Sequence, residues 1–327
     1  MTSVLLPEED GELSGCRSGA RDGAETDAVA GLGAPRVIVA IPAYNEEVAI
    51  GSLVLRTVKY VDEVVVIDDG STDHTCEVAR LAGARVIAHA ENEGKGAGIR
   101  DAFTYARDSG AGVLVLMDGD GQHDPDRIPM LVRPILDRKA DLVNGSRFLA
   151  GSRNSVPGYR RVGQGVLDVV TNAGTRRKIT DTQNGFRAFS KKTFGCFSFT
   201  QNGMAIESEM LIEAADAKLR ITEVPINVRY DIPGSTYSPI THGLGVLSKV
   251  LGLVSQRRPG LYICLPGAVM VGMGIGCTSA LVSTYNLTHS LSVELVSGAM
   301  LLIFLGTSLL SAGLTMSAVR RVRRAKI

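Results

Sequence analysis

Along residues 37–146, short apolar runs alternate with stretches of helical period. Val37–Ile41 (VIVAI), Glu63–Ile67 (EVVVI), Arg85–Ala88, Val113–Met117 (VLVLM) and Asp141–Ser146 (DLVNGS) read as five strands. Helical spacing lies between them at Ile50–Val58, at roughly 74–82 with Ser71 or Asp73 as cap, from Asn92 to about Ser109, and over Asp126–Arg138. The best strands are apolar at consecutive positions rather than at every second one. That predicts burial on both faces, as in a parallel sheet covered by helices. The alternation implies right-handed crossovers and an α/β fold with a mostly parallel sheet. The next hundred residues are less regular. A loop leads into a helix over Gly158–Lys178, Ala188–Ser190 is strand-like, Ile206–Lys218 is helical, and Ile221–Tyr230 alternates like a strand.

The pattern changes again near the C-terminus. His242–Ser255 is amphipathic and suits a membrane surface. Leu261–Tyr285 and Leu295–Val319 each run 25 residues without a charge, long enough to cross the hydrocarbon core. Buried helices of soluble proteins usually keep a polar face, and these have none. The short connection Asn286–Glu294 makes the two a hairpin. Gln256-Arg257-Arg258 precede it, and Arg320, Arg321, Arg323, Arg324 and Lys326 follow. The positive-inside rule then puts both flanks in the cytoplasm. Gly272 and Gly276 form a small-xxx-small pair that permits close helix packing, within the hairpin or between copies of the chain. The domain plan is a disordered tail (1–34), an α/β domain (35–240), an interfacial helix (241–260), two spans (261–285 and 295–319) and a basic tail (320–327).

The polar positions cluster where strands end. The first strand runs into Pro42-Ala43-Tyr44-Asn45-Glu46, the second into Asp68-Asp69 and the fourth into Asp118-Gly119-Asp120. Taken alone, Asp-Gly-Asp reads equally as a solvated turn. Three such ends in one parallel sheet fall along a single edge, where ligands bind in open α/β folds. Paired carboxylates there need a cation, and a divalent metal carrying a diphosphate suits them.

Composition narrows the field. A net charge of +1 gives no basic signature for nucleic acid. The 5 cysteines are widely separated with no CxxC pair, which argues against a zinc site or a disulfide framework and for a reducing, cytosol-facing catalytic part. NEGKGAG (92–98) lacks the spacing of a P-loop, and no GxGxxG follows the first strand.

Six segments in order, PAYNEE (42–47), VIDDGSTD (66–73), NEGKGAG (92–98), MDGDGQHDP (117–125), NGSRF (144–148) and DTQNGFRAF (181–189), resemble family 2 glycosyltransferases of the GT-A fold. Within that family the chain looks most like the dolichol-phosphate or polyprenyl-phosphate sugar transferases, over about residues 37–240. The resemblance implies that Pro42, Tyr44, Glu46, Asp68, Asp69 and Asp118 meet the nucleotide sugar; Lys95, which opens a helix inside a Gly-rich run, is expected to be structural or to lie close to the donor. It implies that Asp118, Asp120 and Gln122 hold Mg²⁺ or Mn²⁺, and that Arg147, Arg229, Ser235 and one of Arg160 or Arg161 bind the acceptor phosphate. Asp120, Arg147, Arg229 and Glu209 are expected to carry the reaction. Glu207 and Glu209 compete for one position, so which matches the family is open.

The chemistry fits these residue types. A departing diphosphate needs a fixed cation. A lipid monophosphate acceptor is largely dianionic at neutral pH and needs arginines rather than a base. The expected function is metal-dependent, inverting transfer of a sugar from a UDP- or GDP-sugar to polyprenyl phosphate at a bilayer, with no nucleic acid involved. Two rivals stand: a transferase extending a lipid-linked or surface glycan with Glu207 or Glu209 as base, and a non-catalytic scaffold subunit.

Overall fold

The computed structural model describes residues 35–150, 158–229, 239–257 and 259–325, and gives no side-chain surroundings for 158–160, 239–244, 288 and 320–325. The expected tail (1–34), Ser235 and most of the 231–240 loop lie outside the described residues.

Seven strands form one sheet: β1 (Val37–Ala43), β2 (Glu63–Asp68), β3 (Arg85–Ala88), β4 (Val113–Leu116), β5 (Leu142–Ser146), β6 (Arg187–Ser190) and β7 (Ile221–Pro225). Their order is β3-β2-β1-β4-β6-β5-β7. All pair in parallel except β6, which is antiparallel to both β4 and β5. The sheet is therefore mixed but mostly parallel. One consequence follows directly: the carboxyl ends of the six parallel strands and the amino end of β6 share one edge.

Helices α1 (Glu47–Thr57), α2 (Thr75–Leu81) and α4 (Ile128–Leu136) cover one face, and α3 (Lys95–Asp108) and α6 (Ile206–Asp216) the other. Val37, Val39 and Ile41 point toward Ile50, Leu53 and Leu131, whereas Ile38 and Ala40 point toward Ile99, Ala102 and Met210. This two-sided burial explains the uninterrupted apolar strands, each large side chain contributing about 1.5–3 kcal/mol.

A further layer lies outside α6. There α5 (Gly158–Thr175) and α7 (Pro239–Arg257) bring Leu167, Val170, Val246, Val250 and Val254 against Ala205 and Ile212. Val246, Val250 and Val254, at helical spacing within 242–255, are the positions of that segment that pack on protein. Tyr262 joins the same cluster from one turn of π-helix, Gly260–Cys264. Pro266 in the next turn lacks an N–H for the carbonyl of Tyr262, a local reason for the wide turn. The chain then forms α8 (Leu265–Thr288) and α9 (Val293–Ala325). Gly260–Leu287 and Val293–Val319 are long and apolar enough to cross a membrane. The close approach within the pair uses Gly267 and Gly306: a Cβ on Gly267 would lie 2.8 Å from the Gly306 carbonyl oxygen. Among the described residues, nothing lies within 4 Å of a Cβ placed at Gly272 or Gly276. That pair does not make the hairpin contact.

The alternating segment 221–230 forms a strand only to Pro225, which has no N–H to continue the ladder. Beyond it, Val228 makes an isolated antiparallel bridge to His123.

Candidate active site

The shared edge collects the predicted residues from separate loops. Tyr44 and Glu46 follow β1, Asp68 and Asp69 end β2, and Asp118 to Gln122 follow β4. Arg147 follows β5, Arg229 follows β7, and Asp181 to Gly185 lead into β6.

Cross-strand hydrogen bonds set the loops after β1 and β2. Asn45, at a positive φ of 57°, accepts from the Thr72 N–H at 2.8 Å and donates its own N–H to Ser71 Oγ at 2.9 Å. Asp68 is buried and accepts from Ser71. Asp69 Oδ1 accepts from the Glu93 N–H and Oδ2 from the Gly94 N–H, at 2.9 and 2.8 Å. His89 lies 2.8 Å from Asp69 and 2.7 Å from Asp101. Burial works against a charged His89, but these carboxylates outweigh it and raise the imidazole above its ordinary value. Asp69 thus shapes the turn that presents Lys95, using most of its acceptor capacity. Pro42 sits half-buried near Gly98, and Tyr44 is exposed.

Lys95 lies at the centre of the charges. Its Nζ is 2.6 Å from Asp118 Oδ1 and 2.7 Å from Glu207 Oε1. Glu207 is buried, and its Oε2 is 3.4 Å from Arg187 Nη2. Burial lowers the Lys95 ammonium, but Asp118 and Glu207 more than reverse this and hold it above its ordinary value. Burial raises Asp118, yet Lys95 and His123 pull its carboxyl well below the carboxylate range. Gly185 closes another side of Asp118: a Cβ there would fall 2.5 Å from both carboxylate oxygens.

Asp120 and Glu46 lack such compensation. Asp120 accepts the Gln122 N–H at 3.0 Å, but burial and the neighbouring Asp118 raise its pKa. Glu46 is pushed up to about 7, by burial first and then by Asp120, Asp118 and Asp73. The edge therefore carries more negative charge than its own cations balance. Among the described residues, no three His, Cys, Asp or Glu side chains converge as a ready-made cage for a metal. Two carboxylates with excess charge suit Mg²⁺ or Mn²⁺ of the kind completed by substrate phosphates. Asp120 and Asp118 fit such an ion as ligands, with Gln122 beside them.

The other half of the edge is rich in satisfied cations. Arg147 is bidentate on Asp181, Nε–Oδ2 at 2.7 Å and Nη2–Oδ1 at 2.8 Å. Phe148 is flanked by the guanidiniums of Arg147 and Arg161, at 5.7 and 5.3 Å from its centroid. The Arg229 N–H donates to the Gln122 carbonyl at 2.9 Å, which brings the segment after β7 against the Asp120 loop.

The two glutamates separate clearly. Glu207 faces Lys95. Glu209 accepts from the Thr200 and Gln201 N–H groups and from Thr200 Oγ1, and so holds a different turn. That turn reaches the site through the Asn202 carbonyl, which accepts the Gly96 N–H at 2.8 Å.

Sequence reasoning missed Arg187 as a site component. It is fully buried and donates to Asn144 Oδ1, the Glu207 carbonyl and the Thr182 carbonyl at 2.9, 2.7 and 2.9 Å. The available signal was an arginine beginning an apolar strand, which demands a buried acid elsewhere.

Comparison with known proteins agrees with this arrangement. A family model described as glycosyl transferase family 2 matches residues 38–199. The chain is 33% identical over 216 residues to a UDP-N-acetylglucosamine–dolichyl-phosphate N-acetylglucosaminyltransferase of Methanococcus voltae, covering 59% of this chain and 86% of that one. The chain belongs to glycosyl transferase family 2. A second family relative, an undecaprenyl-phosphate mannosyltransferase of Micrococcus luteus, is 31% identical over 205 residues, covering 58% of this chain and 82% of that one. Glucosyl-3-phosphoglycerate synthase from Mycobacterium tuberculosis, in complex with Mn²⁺, UDP-glucose and phosphoglyceric acid, superposes with a TM-score of 0.57 at 25% identity, over 74% of this chain and 85% of that one. This family 2 member is a glycosyltransferase with a GT-A-type sheet.

Proposed function

We propose that the protein transfers a sugar from a nucleotide diphosphosugar to a polyprenyl phosphate, with inversion and with a divalent metal, Mg²⁺ or Mn²⁺. The observation that carries the reading is the division of the edge. An acid-rich half (Glu46, Asp118, Asp120) suits a metal–diphosphate, and an arginine-rich half (Arg147, Arg161, Arg229) suits an anionic acceptor. The two relatives named above act with different sugars and different lipids. A polyprenyl phosphate acceptor is what they share.

An acceptor phosphate oxygen forms the new bond to the anomeric carbon as the bond to the donor diphosphate breaks. The electron pair leaves on the nucleoside diphosphate, where the metal would stabilise it. The acceptor needs no proton removed, since its second pKa lies near 6. The environments of the glutamates support a reaction without a dedicated base. Glu209 is held by backbone N–H groups, and Glu207 faces Lys95 and Arg187. Arg147, Arg161 and Arg229 hold the acceptor, and Pro42, Tyr44, Asp68 and Asp69 the nucleotide.

The bilayer is the second partner. On α5, Val162, Val166 and Val169 are exposed at helical spacing, with exposed Arg161 at one end and Arg176, Arg177 and Lys178 just beyond the other. An apolar stripe with basic ends suits an anionic interface. The helix lies beside α7, which leads into the first candidate span. With basic residues flanking both spans, the catalytic part faces the cytoplasm.

The test is radiolabelled transfer to a membrane lipid extract from a panel of UDP- and GDP-sugars, with and without Mn²⁺. The expected product is a mild-acid-labile labelled lipid that depends on metal. Label in no lipid fraction, with transfer to a non-lipid acceptor instead, would overturn the reading.

A further inference from the structure

We infer that Lys95 is a tethered cation that holds Asp118 in the donor-free protein and yields it only to a metal that arrives with a nucleoside diphosphate. Metal and donor then bind as one unit. The inference rests on the metal-dependent reading above.

Three observations support it. First, Asp118 is enclosed on several sides: Lys95 Nζ at 2.6 Å, His123 Nε2 at 3.4 Å and the Gly185 backbone beside both oxygens. A metal on Asp118 competes with Lys95 for a carboxylate oxygen. Second, Lys95 has a second anchor. Glu207 Oε1 is 2.7 Å away, so the ammonium can release Asp118 without becoming an unpaired buried charge. Third, an ammonium released from Asp118 finds little free anion nearby unless a diphosphate comes with the metal. Arg187 also faces Glu207, so that carboxylate already serves two cations. A bare divalent ion replacing Lys95 on Asp118 leaves Lys95 and Arg187 sharing Glu207 beside the incoming positive charge. The diphosphate supplies the negative charge that Lys95 loses.

The backbone fixes Lys95 for this exchange. Asp69 accepts the Gly94 N–H and Asn202 the Gly96 N–H, so the residues on either side are held and the side chain alone moves.

The experiment uses the full chain in lipid nanodiscs. Free Mn²⁺ is followed by its electron paramagnetic resonance signal, alone and with UDP or GDP. In the parent protein Mn²⁺ alone binds weakly, and one of the nucleotides tightens it by about tenfold or more, a coupling that linkage makes reciprocal. Lys95→Met frees Asp118, so Mn²⁺ alone binds about tenfold tighter than to the parent and most of the coupling disappears. Lys95→Arg keeps the coupling. Glu207→Gln removes the second anchor and weakens Mn²⁺ binding in the presence of nucleotide. Thermal melts and circular dichroism establish that each variant is folded. If Lys95→Met fails to fold, the Glu207→Gln and Lys95→Arg results decide instead, and unchanged Mn²⁺–nucleotide affinity in Glu207→Gln overturns the inference. A folded Lys95→Met that binds Mn²⁺ no better than the parent overturns it too, while parental Mn²⁺–nucleotide binding leaves the metal reading standing. No Mn²⁺ binding by the parent with either nucleotide defeats both.

Discussion

The two halves of the catalytic edge handle charge in opposite ways. Around β5, β6 and α6, the buried charges are paired: Arg147 with Asp181, Arg187 with Glu207, two backbone carbonyls and the Asn144 amide oxygen, Glu209 with the 200–201 turn. Around β1 and β4, Glu46 and Asp120 crowd one another, and their pKa values rise. The first half is largely paired within the protein and sets geometry, although the buried Glu207 oxygens have ion pairs and no hydrogen bond. The second is left electrostatically unfinished, which suits the metal–diphosphate proposed above. Lys95 lies between them, with one ion pair to each side.

The comparison can be broken in order of expected effect. Asp120→Asn should lower transfer by about 10²–10³-fold while leaving the melting temperature at or above the parent's, because it removes a charge that only the loaded site requires. A large loss of stability instead would mean that Asp120 belongs to the paired half. Arg187→Met should do the reverse, destabilising the fold by about 3–5 kcal/mol in denaturant titration, because Glu207 and several carbonyls lose a buried partner. A drop below ~1 kcal/mol would show the network to be dispensable.

Gly185→Ala tests the contact between the halves. The added methyl meets Asp118, so stability should fall by about 1–3 kcal/mol and affinity for a metal–nucleotide pair should fall with it. Glu46→Gln gives a pH signature. The folded protein holds this proton up to about pH 7, against a usual 4.5, so the parent loses stability as pH rises through that window. The variant lacks that slope. It should match the parent near pH 5 and exceed it by about 1 kcal/mol at pH 8, after allowance for solvent screening. Thermal melts at both pH values measure this. The smallest effect belongs to Arg161→Ala, where an exposed cation beside Phe148 is lost. Its acceptor KM should rise only a few-fold, in keeping with ~0.2–1 kcal/mol for exposed charged contacts.

Much of this was legible beforehand for physical reasons. VIVAI and VLVLM carry no polar face, so they had to be central strands, and the acids after them had to share an edge. The two uncharged 25-residue runs could satisfy their backbones only as helices. Local pattern reached less far where long-range pairing decides. The antiparallel insertion of β6, the early end of β7 at Pro225 and the packing of α7 on α5 and α6 depend on neighbours far along the chain.

The sequence by itself determined the alternation of elements, the edge on which the carboxylates fall and the apolar hairpin, because periodicity and burial are properties of short segments. Only the tertiary structure decided which charge meets which. It set Lys95 between Asp118 and Glu207, turned Glu209 to another task, buried Arg187 and kept Gly272 and Gly276 out of the hairpin contact. Those choices are made between residues tens of positions apart. A Coulomb interaction depends on distance in space, which spacing along the chain does not encode.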